Sequence, residues 1–152
     1  KKQGHSQEFP DYYVGKDQGL LEVKTFDASA SANFDIANFE SYCESVAQLP
    51  SRANSDYLIF SYVLSGTKLA IKDIWLKKIW EITCPSKRWP IKTQTKRDTI
   101  YNIRPASWHS NNVVYNVFDS QKDFINALYE TQEQYKGVNY KAQYLINKKS
   151  DV

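Results

Sequence analysis

The stretch DYYVGKDQGLLEVKTF, residues 11–26, decides how the rest of the chain is read. Residues 11–15 form a short aromatic and β-branched run, the composition of a strand. Residues 15–19 carry glycine at both ends and read as a turn. Residues 20–26 make a second strand, so the two predict a hairpin. Side chains alternate along a strand. Leu21, Val23 and Thr25 therefore share one face, and Leu20, Glu22, Lys24 and Phe26 share the other. The apolar Val23 is expected to point into the core.

Working outward, residues 27–33 are rich in Ala and Ser and predict a flexible loop. Asp35 is placed to cap a helix running to about Gln48. Ile36, Phe39, Cys43, Val46 and Ala47 give that helix an apolar stripe at spacings of three and four. Leu49-Pro50 ends it. Residues 56–64 are almost continuously apolar and aromatic, which predicts a central strand covered on both faces. Ser65-Gly66 turns the chain into a partner strand over residues 68–74. Residues 73–82 suit a short helix with Ile74, Trp75, Ile79 and Ile82 buried. Two short strands, 91–95 and 99–103, flank the turn Lys96-Arg97-Asp98. A last helix spans 120–135 with Phe124, Leu128 and Tyr135 on one face, and the polar tail from Asn147 is expected to fray. The elements add up to an α/β or α+β fold: a mixed central sheet flanked by helices, in one domain.

The composition fits such a domain. The chain has 152 residues, 41% hydrophobic and 24% charged, with a net charge of +3. That charge is only mildly basic, but it is unevenly placed. Residues 87–104 hold six cations (Lys87, Arg88, Lys92, Lys96, Arg97, Arg104) against one acid, Asp98. Cys43 and Cys84 lie in no CxxC or Cys/His cluster, which argues against structural zinc and for free thiols in a reducing compartment. No run approaches a membrane span, and the polar start shows no signal peptide, so a cytoplasmic location is expected by default. The informative pattern begins only ten residues in, as though the chain were a fragment or upstream sequence were omitted.

Chemistry concentrates at Pro10-Asp11 and Glu22-Val23-Lys24. Magnesium asks for hard oxygen ligands. Asp11 and Glu22, on adjacent antiparallel strands, can approach across the pair. Lys24 shares the face of Glu22, so its ammonium can orient an attacking water or stabilise charge on a phosphorane. The Val23 carbonyl is free to be a third ligand. Glu-x-Lys alone is common on solvated strands. Here it lies within an apolar strand, a Pro-Asp precedes it at hairpin distance, and a helix and a hydrophobic strand follow.

The same residues in this order resemble the PD-(D/E)XK nuclease superfamily, and more closely the type II restriction endonucleases of the NgoBV/NlaIV group. The likeness runs from about Asp11 to Leu128. It is carried by LEVKTF at 21–26, NFDIANF at 33–39, IKDIWLKK at 71–78 and IYNIRP at 100–105. The resemblance implies a restriction-endonuclease-like fold and a homodimer from a restriction-modification system. It implies magnesium-dependent hydrolysis of both strands of duplex DNA at a short palindrome, with GGNNCC suggested for the group. Asp11, Glu22 and Lys24 then become catalytic, with Asp11, Glu22 and Val23 holding the metal. Such enzymes usually carry more sequence before the Pro-Asp, which leaves a fourth active-site residue and part of the dimer surface open.

The segment 87–109 mixes cations, amides and aromatics suited to phosphates and base edges. Arg88, Lys92, Lys96, Arg97, Asn102 and Arg104 are the candidates there, and a solvated hairpin is the plain alternative. Ser29, Ser31 and Asn33 follow the catalytic strand and are placed to meet the phosphate backbone, or simply to connect. Asp35 is a cap before it is a ligand. Trp75 and Trp80 read as core, and His109 as a surface residue, since neither histidine has a triad partner. Two rivals stay open: a structure-specific repair or recombination nuclease of the same superfamily, and a non-catalytic DNA-binding module.

Overall fold

The computed structural model describes residues 10–15 and 19–150. Strand β1 (Tyr12–Val14) pairs antiparallel with β2 (Gly19–Asp27), as the hairpin reading expects. The central turn residues 16–18 lie outside the described residues. β2 then runs parallel to β4 (Asp56–Ser65), which pairs antiparallel with β5 (Lys68–Lys78). This mixed sheet has the order β1-β2-β4-β5. A parallel neighbour requires a crossover, and here it contains β3 (Ala37–Asn38) and helix α1 (Phe39–Gln48). β3 belongs to a second, antiparallel sheet with β6 (Thr93–Lys96) and β7 (Thr99–Ile103), in the order β3-β7-β6. Helices α2 (Gln121–Lys136) and α3 (Lys141–Ser150) close the described chain. The α/β expectation stands, with the second sheet as an addition to it.

Several local expectations give way to tertiary pairing. α1 begins at Phe39, not after Asp35, because Ala37 and Asn38 stay extended to pair with Ile103 and Asn102 of β7. Asn38 is the cap: its side-chain oxygen accepts from the Ser41 amide at 3.0 Å. Asp35 instead pairs with Arg104. The helix expected over 73–82 is strand up to Lys78, followed by one 3-10 turn at Ile79–Glu81. Its apolar spacing suits either element, and the ladder with β4 decides. Ile74, expected inside, is 61% exposed, while Ile79 and Ile82 are buried. β4 is covered on one face only. Tyr57, Ile59 and Ser61 are buried, their neighbours are half-covered, and Val63–Ser65 are exposed. In β2 the buried face is the one carrying Leu20, Glu22 and Phe26. Val23 is only half-buried, so it does not point into the core as expected.

The β6–β7 turn is shorter than its basic sequence suggests. Arg97 (φ 48°) and Asp98 (φ 65°) both adopt left-handed backbone, the geometry whose twist matches a tight hairpin. β6 starts at Thr93, because Ile91 is fully buried in the core. α2 starts at the Ser120 cap and stops at Gly137, whose φ of 68° breaks the helix. α3 replaces the frayed tail: it buries Tyr144, and its Asn147 amide donates to the Ala47 carbonyl at 2.7 Å. A single cluster of buried residues joins β2, β4, β7 and all three helices. Cys43 and Cys84 are free and buried in the structure.

Candidate active site

The register of the mixed sheet gathers the acidic and basic side chains named above. Tyr12 faces Leu21 across the β1–β2 pair, which brings Asp11 level with Glu22. The two are tied reciprocally. The Asp11 amide donates to Glu22 Oε2 at 3.1 Å, and the Val23 amide donates to Asp11 Oδ2 at 2.8 Å. Pro10, next to them and buried, has no amide hydrogen to compete. One step further along the same face, Lys24 Nζ meets Glu22 Oε1 at 2.8 Å. Both side chains of that pair are largely covered, at 20% and 9% exposed. Asp11, Glu22 and Lys24 thus converge.

Burial raises the proton affinity of Glu22, and the neighbouring Asp11 charge adds to this. The Lys24 ammonium and the Asp11 amide pull the other way without overcoming it. The Tyr57 hydroxyl, whose strand position faces Glu22, is pushed well up by burial, with Tyr42, Glu22 and Asp11 adding to the shift.

The donor set suits magnesium. Asp11 and Glu22 sit opposite each other across the β1–β2 pair, and Glu22 carries a desolvation penalty that a bound cation would relieve. A strand residue turns its amide and carbonyl to the same side. The Val23 amide reaches Asp11, so its carbonyl lies on that side too. Among the described residues no group of three or more His, Cys, Asp or Glu gathers. Two carboxylates with a backbone oxygen are therefore the set on offer.

The raised proton affinity of Glu22 has a measurable sign. The unfolded chain loses the Glu22 proton near the ordinary 4.5, while the folded protein holds it to higher pH. Folded protein binds more protons in that window, so stability falls as pH rises through it. Glu22→Gln removes the titration. The variant is expected to gain stability relative to the parent between pH 4 and pH 8 in EDTA, measured by urea midpoints. A parent that gains on the variant over that range would contradict the burial argument.

The candidate DNA-contact residues are not brought to this point. Arg88, Lys92, Lys96, Arg97, Asn102 and Arg104 lie in or beside the second sheet. Several are engaged. Arg88 pairs with Asp98 and lies over the Trp89 ring, Lys92 Nζ holds the Pro105 carbonyl at 2.8 Å, and the Asn102 amide donates to Gln94 at 2.9 Å. Arg104 is occupied by Asp35. Lys96 and Arg97 are exposed and enter none of the ion pairs among the described residues. Ser29 turns back onto Asp27 through its amide and hydroxyl, and Ser31 and Asn33 are exposed in the same loop.

Sequence reasoning missed what lies beside the carboxylates. Reading β5 as strand places three rows across the shared face: Glu22-Tyr57-Lys77, Lys24-Ile59-Trp75 and Phe26-Ser61-Asp73. The third row borders a cavity of about 490 Å³ whose walls also include Lys72, Trp75 and His109. Trp75 stacks on Phe26 with ring centres 5.8 Å apart, and His109 lies 5.0 Å from Phe26. His109, expected at the surface, is half-buried. Its Nε2 is buried and has no partner among the described residues. Burial lowers its pKa against the pull of Asp73, favouring neutral imidazole. The alternation of β5 would have shown Asp73 and Trp75 on the face that carries Glu22 and Lys24.

With this geometry in hand, known proteins provide a comparison. The family described as NgoBV restriction endonuclease matches residues 1–150. The type II restriction enzyme NlaIV of Neisseria lactamica is 38% identical over 138 residues, covering 88% of this chain and 57% of its own length. The type II restriction enzyme NgoBV of Neisseria gonorrhoeae is 34% identical over 91 residues, 58% of this chain and 52% of that protein. A solved NlaIV restriction endonuclease shares the fold with a TM-score of 0.88 at 34% identity, over 95% of this chain and 63% of the other. The chain therefore spans less than two thirds of the length of each of these relatives.

Proposed function

The chain belongs to the NgoBV restriction endonuclease family, and from that premise we propose that it is the catalytic part of a type II restriction endonuclease hydrolysing duplex DNA at a short palindromic site. The convergence of Asp11, Glu22 and Lys24 on one face carries this reading. Asp11 and Glu22, with the Val23 carbonyl, would hold Mg2+, which supplies Lewis-acid charge at the scissile phosphate.

The chain's own residues do the rest. Lys24 is pinned by Glu22 and offers a positive charge and N–H donors to the attacking water and to the phosphate oxygens. The reciprocal bonds between Asp11 and the Glu22-Val23 backbone hold both carboxylates before substrate arrives, which limits reorganisation during the reaction. Lys96 and Arg97, exposed at the hairpin tip, are the cations most available to phosphate. Ser31 and Asn33 lie in the loop directly after the catalytic strand, and Ser29 shapes that loop. Arg88, Lys92, Asn102 and Arg104 would reach DNA only by exchanging their present partners. Cleaving both strands of a palindrome calls for a homodimer, and GGNNCC, suggested by the resemblance to the group, is the first site to test. No helix among the described residues is long and apolar enough to cross a membrane. We place the activity in the cytoplasm, with the DNA.

Incubation with duplex DNA and magnesium tests this. Discrete fragments are expected, and none with EDTA. Cutting confined to junctions or mismatches would indicate a structure-specific nuclease. Intact DNA across many sequences, with folded protein, would overturn the assignment.

A further inference from the structure

We propose that the cavity bordered by Phe26, Ser61 and Asp73 is a binding site for a single unpaired guanine base. It lies one row beyond Lys24 on the face that carries the carboxylates, which is one strand repeat of about 7 Å. At about 490 Å³ its volume is in the range of small-ligand sites.

The walls match a base in two respects. Trp75 and His109, both partly covered, offer aromatic surface for stacking. Asp73 offers a carboxylate, which when ionised only accepts hydrogen bonds. Ser61 donates to one of its oxygens at 3.2 Å and accepts from the Asp73 amide at 3.1 Å, which fixes the group at the cavity edge.

A bulge completes the site. The β4–β5 register shifts between Ser61 and Tyr62, leaving Lys72 as the extra residue beside Asp73. Bulges re-aim side chains, and this one lets two consecutive residues line one cavity. Lys72, which joins none of the ion pairs among the described residues, is placed to meet the phosphate of the same nucleotide.

The carboxylate selects the base. Guanine alone presents two adjacent N–H donors, at N1 and N2, along its pairing edge. Cytosine and adenine each set a lone pair beside one amino group, and thymine offers a single N–H. In a duplex that edge is engaged, so the ligand is either a guanine drawn out of the stack or a free guanine nucleotide. The choice of DNA as source rests on the nuclease reading. The base site does not.

Tryptophan fluorescence in EDTA separates these points. The protein is titrated with the deoxynucleoside monophosphates dGMP, dAMP, dCMP and dTMP, and with dIMP, which lacks the N2 amino group. Saturable binding of dGMP is expected, about tenfold tighter than dIMP. Asp73→Asn should bring dGMP to the dIMP level. The dGMP–dIMP comparison holds whatever the variant does to folding. A second arm compares a fully paired hairpin DNA with one bearing a single unpaired guanine or cytosine. Preference for the unpaired guanine assigns the site to DNA. Binding of dGMP without that preference supports the base site, with free nucleotide as its ligand. Equal binding of all five nucleotides, or none, overturns the proposal. No cleavage is measured, so that failure leaves the nuclease reading intact, and guanine binding by a protein that never cuts would sink only the latter.

Discussion

Lys24→Ala is expected to cleave duplex DNA about a thousandfold more slowly than the parent while still binding it. Two losses combine. Among the described residues the ammonium is the one cation ion-paired with Glu22, at 2.8 Å. Its removal takes away a charge and its donors where negative charge develops. It also removes the largest of the influences that lower the proton affinity of the buried Glu22 carboxylate. Glu22 then holds its proton to a higher pH, and while it does so it is a poorer ligand. These losses are separable. Raising the pH should restore part of the second and none of the first, so the variant's rate climbs more steeply with pH than the parent's. Lys24→Arg keeps the charge but not the compact ammonium, and is expected to fall between the two. Single-turnover plasmid cleavage gives the rates, and gel shift without magnesium gives the binding. A Lys24→Ala rate within tenfold of the parent would remove Lys24 from the catalytic set.

Phe124→Ala should lower folding stability by about 3–5 kcal/mol. Phe124 is fully buried in α2, with the Tyr42 ring of α1 at 6.1 Å and the Phe118 ring at 6.0 Å. Truncation loses apolar burial and leaves a void among three elements that cannot all close in. Domains are stable by only about 5–15 kcal/mol, so the variant should be folded at 25 °C but close to its limit. Phe124 is absent from the site, so cleavage per folded molecule should be unchanged at low temperature. Urea midpoints at constant m-value measure the loss. A loss under about 1 kcal/mol would mean that α2 is not packed as described.

The β1–β2 hairpin was legible because its information is local. Gly15 and Gly19 mark the turn, and a period of two puts Glu22 and Lys24 on one face whatever else the chain does. The last helix, read over 120–135, and the β6–β7 hairpin were legible for the same reason. What failed depends on distant partners. Ile74, Trp75, Ile79 and Ile82 fit a helix by spacing, and only pairing with β4 holds Ile74 and Trp75 in a strand. Asp35 has the chemistry of a cap, but β7 holds the next residues extended and passes that role to Asn38. Nor can residue type reveal which cations are already spent: Lys92 looks like a phosphate contact and instead holds the Pro105 carbonyl.

The parallel alignment of β2 with β4 has a kinetic corollary. The β1–β2 hairpin joins neighbouring segments and can form on a microsecond scale. Its floor comes from β4, where Glu22 meets Tyr57, and that strand follows only after the whole crossover. Closing so long a loop is entropically uphill until the helices dock, so this step is slow. A chain still emerging from the ribosome therefore carries its acidic pair before it can seat it. The arrangement around Glu22 is complete only once synthesis has passed β4.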